Sequence, residues 1–216
     1  MACVIGLLKV KVCGITSIED ARKCVSAGAD MLGFVVDIPI DAPFKLSADD
    51  AAAISKVLPA HVEKIIITSA TDPARLKGLC GKVGATGIQV AASSKISPSD
   101  MLALRALLGN LKVIKSVPIT DAASVEAALA YSDAVDILLI ENRGVSNQRP
   151  DWKLCAQLVN SSKKPVMLAG GLDPANVAQA VAAVKPWGVD VMSGVETGGR
   201  KDATKLGAFI SASRQF

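Results

Sequence analysis

Residues 8–16, LKVKVCGIT, place a short strand directly before a cysteine and a glycine. The alternation of valine and lysine is typical of a β-strand, and Gly14 allows the backbone to turn where that strand ends. An open dinucleotide-binding sheet would carry the phosphate-binding pattern G-x-G-x-x-G after its first strand. Because the chain has Cys-Gly-Ile-Thr at this place, we favour a closed barrel over a doubly wound open sheet.

The same succession of a short strand and a longer alanine-rich helical segment occurs eight times. Strands that alternate with helices pair in parallel through right-handed crossovers, and eight such units in about 200–250 residues match a (β/α)₈ TIM barrel. The predicted strands are Leu8–Cys13, Met31–Val36, Val62–Ile67, Gly87–Val90, Leu111–Lys115, Val135–Ile140, Val166–Leu168 and Gly188–Val191. The predicted helix caps are Ser17, Ser47, Asp72, Ser97 and Asp121, with Pro174 as the first residue of the seventh helix.

The composition of the 216 residues agrees with one barrel domain over residues 1–216, because no proline- or serine-rich linker interrupts the chain. Half of the residues are hydrophobic and only 3% are aromatic, so we expect a core of aliphatic side chains. The net charge of +4 is spread along the chain and does not indicate a nucleic-acid partner. Residues 1–10 are too few to span a membrane and lack a signal-peptide pattern, so we expect a cytoplasmic protein.

The cysteines are five in number, widely spaced and without a C-x-x-C pair, which argues against a disulfide framework and against a zinc site. Cys13 ends the first strand, and the catalytic groups of such barrels lie at the carboxyl ends of strands. A structural thiol at that position is the alternative. The other four are predicted to be structural: Cys3, Cys24, Cys80 and Cys155.

The loops after the seventh and eighth strands are small and rich in glycine. Gly170 and Gly171 follow the seventh strand, and Ser193 and Gly194 follow the eighth. In (β/α)₈ barrels these two loops commonly bind phosphate, with the positive ends of nearby helices facing the anion. The two loops together therefore predict a phosphorylated small-molecule ligand.

Three longer motifs resemble the phosphoribosylanthranilate isomerase family of tryptophan biosynthesis. They are KVCGIT at residues 11–16, GGLDPANV at residues 170–177, and GVDVMSGVE at residues 188–196 followed by GRKD at residues 199–202. The likeness covers most of the chain. It implies an aldose–ketose isomerase that works without a cofactor or a metal ion, as a monomer or a homodimer.

The resemblance also implies roles for individual residues. Cys13 stands where the family has its general base, and Glu141 stands where the family has an aspartate as general acid. Gln89 and Asp190 match positions that bind the substrate. The family arginine that grips the anthranilate carboxylate is replaced here, since the segment is Ala-Pro-Phe followed by Lys45, and Lys45 is the neighbouring cation that would substitute.

Further departures leave alternatives open. Ala91 and Ala92 replace a His-Gly pair of the family, and residues 146–150 replace a glycine-rich loop. One alternative is a paralogue that acts on another phosphosugar amine, and a second is a barrel that binds a phosphosugar without catalysis. A third is a Schiff-base aldolase that uses Lys115 at the end of the fifth strand. His61, the single histidine, precedes the third strand and is predicted to be a solvated loop residue.

Overall fold

A computed structural model describes residues 7–39, 41–141 and 151–215. Eight parallel strands form a closed barrel in chain order, with a helix after each strand, so the predicted TIM barrel is confirmed. The strands are β1 (Lys9–Val12), β2 (Met31–Asp37), β3 (Glu63–Thr68), β4 (Gly87–Val90), β5 (Lys112–Val117), β6 (Ile137–Ile140), β7 (Val166–Leu168) and β8 (Gly188–Val191). The helices are α1 (Ile18–Ala27), α2 (Ala48–Ser55), α3 (Pro73–Val83), α4 (Pro98–Leu108), α5 (Ala122–Leu129), α6 (Trp152–Ser161), α7 (Val177–Val184) and α8 (Ala203–Ser213).

Several element boundaries match the sequence predictions. The bounds of β4, β7 and β8 are as predicted, and the other five strands differ by one or two residues at an end. The five predicted polar caps are confirmed, since each side chain accepts a hydrogen bond from a backbone N–H in the first turn of its helix. No helix within the described residues is long and apolar enough to cross a membrane.

The predicted start of α7 at Pro174 is wrong. The helix begins at Val177, because Pro174 lies in a turn that the carboxylate of Asp173 closes. Asp173 Oδ1 accepts the backbone N–H groups of Ala175 at 2.8 Å and of Asn176 at 3.0 Å. The side chain of Asn176 then donates to Gly171 O at 2.9 Å. The turn therefore connects the start of the helix to the glycine loop after β7.

The core has two layers. Inside the barrel, a mainly aliphatic cluster fills the space between the strands, and its members are Met31, Ile65, Ile114, Ile137, Leu139, Met167 and Ala169. A larger cluster packs the outer faces of the strands against the helices, and on β1 it includes Val10 and Val12. The lysines that alternate with these valines therefore belong to the inner face of the strand. Lys11 is completely buried there.

A short antiparallel hairpin follows β8 and consists of β9 (Glu196–Thr197) and β10 (Arg200–Lys201). Lys201 is buried and donates to Glu196 Oε1 at 2.6 Å and to Met192 O at 3.2 Å. Arg200 pairs with Asp20 of α1 at 3.0 Å. These contacts attach the hairpin to both the loop after β8 and the first helix.

Candidate active site

A cavity of about 320 Å³ lies at the carboxyl end of the barrel strands. It is lined by residues from the loops after β1, β2, β4, β6, β7 and β8. Eight of the nine predicted site residues line it, namely Cys13, Gln89, Glu141, Gly170, Gly171, Asp190, Ser193 and Gly194. The barrel thus brings together positions that are up to 181 residues apart in the chain.

Cys13 follows β1 directly and is half-buried at the edge of the cavity. Its backbone N–H donates to Val191 O of β8 at 2.9 Å, which extends the strand pairing up to the thiol. Gly14 has a φ of 69°, so it turns the chain in the left-handed region that favours glycine. A Cβ at this glycine would also lie only 2.7 Å from Met192 Cε. A side chain at position 14 would therefore strain the turn after Cys13 and require Met192 to move.

The surroundings of Cys13 shift the pKa of its thiol in opposite directions. Burial raises the pKa of the Cys13 thiol, because the thiolate would lose contact with water. The ammonium of Lys11 lowers this pKa, whereas the carboxylates of Asp190 and Glu141 raise it. The buried ammonium of Lys201 also lowers this pKa, but burial has the largest effect, so the pKa of the Cys13 thiol lies above its ordinary value.

Glu141 follows β6, which is separated from β1 by β7 and β8 on one side and by four strands on the other. Its backbone N–H donates to Val117 O of β5 at 3.0 Å, and the residue is half-buried. The acidic neighbour five residues earlier, Asp136, is instead structural. It accepts hydrogen bonds from Arg105 at 3.2 Å and from the backbone N–H of Val113 at 2.8 Å.

The two glycine loops meet at one end of the cavity. Gly170 and Gly171 have φ values of 97° and 67°, so both positions require the left-handed backbone that glycine adopts without strain. Gly194 lies against the backbone of the neighbouring loop, and a Cβ on it would overlap the carbonyl oxygen of Leu172. Because these residues carry no side chains, the main chains of both loops approach each other and the cavity closely.

Gln89 and Asp190 line the same cavity from β4 and β8. The Gln89 amide donates to Ser116 Oγ at 2.9 Å, and among the described residues its buried Oε1 has no hydrogen-bond donor. Asp190 accepts a hydrogen bond from Lys11 Nζ at 3.0 Å. Both residues therefore line the cavity with side chains that are already hydrogen-bonded to neighbouring strands.

Two other predicted positions lie away from the cavity. Lys45 is exposed and does not belong to the lining, whereas its neighbour Phe44 does. Lys115 is also outside the lining, because its ammonium donates to Ala91 O and Ser116 O at 3.0 Å each and lies 5.6 Å from the ring centre of Tyr131. The aldolase alternative, which needs Lys115 inside the barrel mouth, therefore has no geometric basis.

The apolar wall of the cavity was missed by sequence reasoning. It consists of Val35, Ile38, Pro39, Phe44 and Ile67, which come from β2, the loop after it and β3. These residues lie in strands or near them and look like ordinary core positions. A wall of this kind suits the flat face of an aromatic group.

Comparisons with known proteins agree with this geometry. The family model for N-(5'phosphoribosyl)anthranilate (PRA) isomerase matches residues 10–212. The chain belongs to the PRA isomerase family. An N-(5'-phosphoribosyl)anthranilate isomerase from Desulforudis audaxviator is 39% identical over 215 residues, which cover 95% of this chain and 98% of that protein.

Solved PRA isomerases share the fold over nearly the whole chain. The crystal structure of the Thermotoga maritima enzyme has a TM-score of 0.84 and 30% identity, and covers 97% of this chain and 100% of that one; the enzyme is described as dimeric. A PRA isomerase in complex with reduced 1-(o-carboxyphenylamino)-1-deoxyribulose 5-phosphate has a TM-score of 0.82 and 30% identity, with the same coverage. The family prediction is therefore confirmed.

Two of the places singled out from the sequence lie outside the described part of the chain. The replaced loop at residues 146–150 and the amino-terminal Cys3 both lie outside it. The remaining cysteines, Cys24, Cys80 and Cys155, are buried on α1, α3 and α6. His61 is exposed before β3, as predicted.

Proposed function

We propose that this cavity carries out the isomerisation for which the PRA isomerase family is named, with Cys13 as general base and Glu141 as general acid. The observation that supports this proposal is that both side chains line one cavity whose other wall is formed by the two glycine loops. The substrate would be a phosphoribosylamine, N-(5'-phosphoribosyl)anthranilate. The product would be the corresponding 1-(o-carboxyphenylamino)-1-deoxyribulose 5-phosphate.

Glu141 begins the reaction as an acid. Its carboxyl group donates a proton to the furanose ring oxygen while the bond between this oxygen and C1 breaks. The nitrogen lone pair then forms a C1=N double bond, which gives an open-chain iminium ion. Residue 141 is suited to this step, because it follows β6 on a wall of the cavity that is separate from the thiol.

Cys13 completes the rearrangement as a base. Its thiolate removes the proton from C2, and the electron pair of that C–H bond forms a C1=C2 double bond while the iminium electrons return to nitrogen. The resulting enolamine gains a proton at C1 and loses the proton of its C2 hydroxyl, which gives the aminoketone. The thiolate is the basic form of this group. Burial holds the pKa of the Cys13 thiol above its ordinary value, and the neighbouring ammonium of Lys11 opposes this effect.

Binding of the substrate is divided between the ends of the cavity. We expect the phosphate to lie on the backbone of Gly170, Gly171, Ser193 and Gly194, where the starts of α7 and of the short 3₁₀ helix Ser193–Val195 contribute positive potential. We expect Gln89 and Asp190, which line the cavity, to contact the ribose. The aromatic ring would then pack on the apolar wall near Phe44.

The same proposal covers the location, the assembly and the ligands of the protein. We expect a cytoplasmic monomer or homodimer that has a phosphorylated small molecule as its partner and uses no cofactor, metal ion or nucleic acid. The dimer is suggested by the Thermotoga maritima relative. Light scattering on the purified protein distinguishes the two assemblies.

The decisive experiment replaces Cys13 with serine. Serine is nearly isosteric but has no accessible anion near pH 7, so kcat should fall by about 10²–10⁴-fold. Turnover is followed by the loss of anthranilate-type fluorescence from freshly generated substrate. Affinity for the reduced product analogue, measured by calorimetry, should remain within about twofold of the wild-type value. Full turnover by Cys13→Ser would contradict the assignment of the base.

A further inference from the structure

Lys11 is completely buried inside the barrel, on the strand that leads to the proposed base. It precedes Cys13 by two residues, and alternate residues of a strand point to the same face. Burying an ammonium group is costly unless the group is paired and hydrogen-bonded. An unbranched aliphatic residue would fill this interior position without that cost. The presence of a lysine therefore calls for a chemical reason.

The partner of Lys11 is Asp190. The two residues are register partners on β1 and β8, and Lys11 Nζ lies 3.0 Å from Asp190 Oδ1. Both side chains are almost entirely removed from solvent, with 0% and 9% exposure. The Asp190 carboxylate also lines the active-site cavity. The ion pair therefore adjoins the cavity through Asp190.

Gly33 of β2 makes room for this arrangement. A Cβ at Gly33 would lie 3.2 Å from Lys11 Nζ and 3.2 Å from Cys13 Cα. Both atoms lie 3.2 Å from the same point, so the distance between Lys11 Nζ and Cys13 Cα is at most twice 3.2 Å. Ile67 Cδ1, at 2.9 Å from the same point, closes the space further. The strands thus hold the ammonium next to the backbone of Cys13.

We propose that Lys11 is a positioning residue for catalysis, whose buried ammonium, held by Asp190, favours the thiolate form of Cys13. This inference rests on the proposed function, in which Cys13 is the base. A permanent positive charge at this place compensates the thiolate when it forms in a pocket with little water. The carboxylate of Asp190 fixes the position of that charge.

The groups that face Cys13 support this assignment. They are Lys11 on the same strand, Asp190 on β8, Glu141 after β6 and Lys201 on β10. Burial has the largest effect and raises the pKa of the Cys13 thiol, and the strongest opposing effect comes from Lys11. Burial alone would lower the pKa of Lys11, but Asp190, Cys13 and Glu141 together raise it above its ordinary value. Lys11 therefore carries its positive charge near neutral pH.

The test measures the thiol directly in the intact protein, without using turnover. Iodoacetamide alkylation of Cys13 is followed by mass spectrometry of its tryptic peptide as a function of pH, and the midpoint of the rate gives the pKa of the thiol. An opposite charge within about 4–6 Å shifts a pKa by about 1–3 units. Lys11→Met should therefore raise the midpoint by about one pH unit or more. The acid limb of the kcat/KM profile should move upward by the same amount.

A matched control is available on the same strand. Lys9 pairs with Asp30 at 2.9 Å at the opposite end of β1 and is substantially exposed. Lys9→Met removes the same charge about 7 Å farther from Cys13, so it should leave the midpoint unchanged. A purely structural role for Lys11 would lower stability in Lys11→Met without moving the midpoint, and that result would overturn the proposal.

A second pair of variants covers the case in which Lys11→Met does not fold. Asp190→Asn and the double variant Lys11→Met/Asp190→Asn both lack the buried carboxylate, so their comparison isolates the lysine charge. The midpoint should be higher in the double variant, and equal midpoints would overturn the proposal. Turnover by Cys13→Ser would refute the proposed base, but it would not change these alkylation midpoints. The two failures are therefore distinguishable.

Discussion

Gly194→Ala adds one methyl group at the point where the two glycine loops touch. The new Cβ would overlap the carbonyl oxygen of Leu172, and it would lie 3.0 Å from the carbonyl carbon of the same residue and 3.1 Å from Asp173 Cα. Normal contacts between carbon atoms are about 3.5–4.0 Å. All three crowded atoms are main-chain atoms, so no side chain can rotate away. The two loops must therefore separate by roughly 1 Å.

The consequences for binding and for stability have different magnitudes. Separation of the loops should remove at least one charge-assisted hydrogen bond to the phosphate, which is worth about 1.5–3 kcal/mol. This corresponds to about 10- to 150-fold weaker binding. Overpacking typically costs about 1–3 kcal/mol of folding free energy. For a chain of this size, that lowers the melting temperature by about 2–12 °C.

The assay compares Gly194→Ala with a control in which the same methyl group is added elsewhere. Gly78 lies in α3, and a Cβ on it would have no atom within 4 Å. Gly78→Ala should therefore raise stability by about 0.5–1 kcal/mol and leave binding unchanged. Calorimetry with the reduced product analogue gives the affinity, and thermal unfolding gives the stability. Equal affinity of wild type and Gly194→Ala would refute the placement of the phosphate between these loops.

Three further outcomes are expected. Glu141→Gln should lower kcat by about 10²–10⁴-fold in the fluorescence assay. Glu141→Asp tests whether the cavity is adapted to the longer glutamate side chain. If it is, kcat falls in this variant as well. Mass spectrometry after alkylation should find Cys13 modified before Cys24 and Cys155, because Cys13 is half-buried at the cavity whereas the other two thiols are fully buried. Burial lowers the pKa of Lys115 from 10.5 to about 8. At pH values between these two pKa values, the folded protein therefore binds fewer protons than the unfolded chain. Denaturant unfolding should therefore show wild type gaining up to ~3 kcal/mol of stability relative to Lys115→Met as the pH rises through this window.

The barrel was predictable because each strand and each helix carries its own local pattern. Apolar runs predict both end residues of β4, β7 and β8, and polar capping residues predict the starts of five helices. The start of α7 was not predictable from Pro174 alone. Its position depends on hydrogen bonds that the Asp173 carboxylate accepts and that the Asn176 amide donates, which close a turn over residues 171–176 before the helix. That residues 1–216 form one domain stays a prediction.

The candidate site was predictable where chemistry and strand ends coincide. Cys13 and Glu141 each follow a strand, so the barrel places both at its mouth. Lys45 was chosen as the nearest cation in the sequence, but its side chain is exposed and Phe44 lines the cavity. Lys11 was missed because a lysine that alternates with valines ordinarily indicates a solvated strand face. In a closed barrel that inner face is buried, and only the register with β8 shows its partner.

The central claim is that this cavity isomerises phosphoribosylanthranilate. The measurement that tests it most directly is the initial rate of fluorescence loss with freshly generated substrate, at several concentrations of the wild-type protein near neutral pH. Our account predicts a rate proportional to protein concentration and abolished by prior alkylation of Cys13. A rate equal to that of buffer alone at every protein concentration would contradict it.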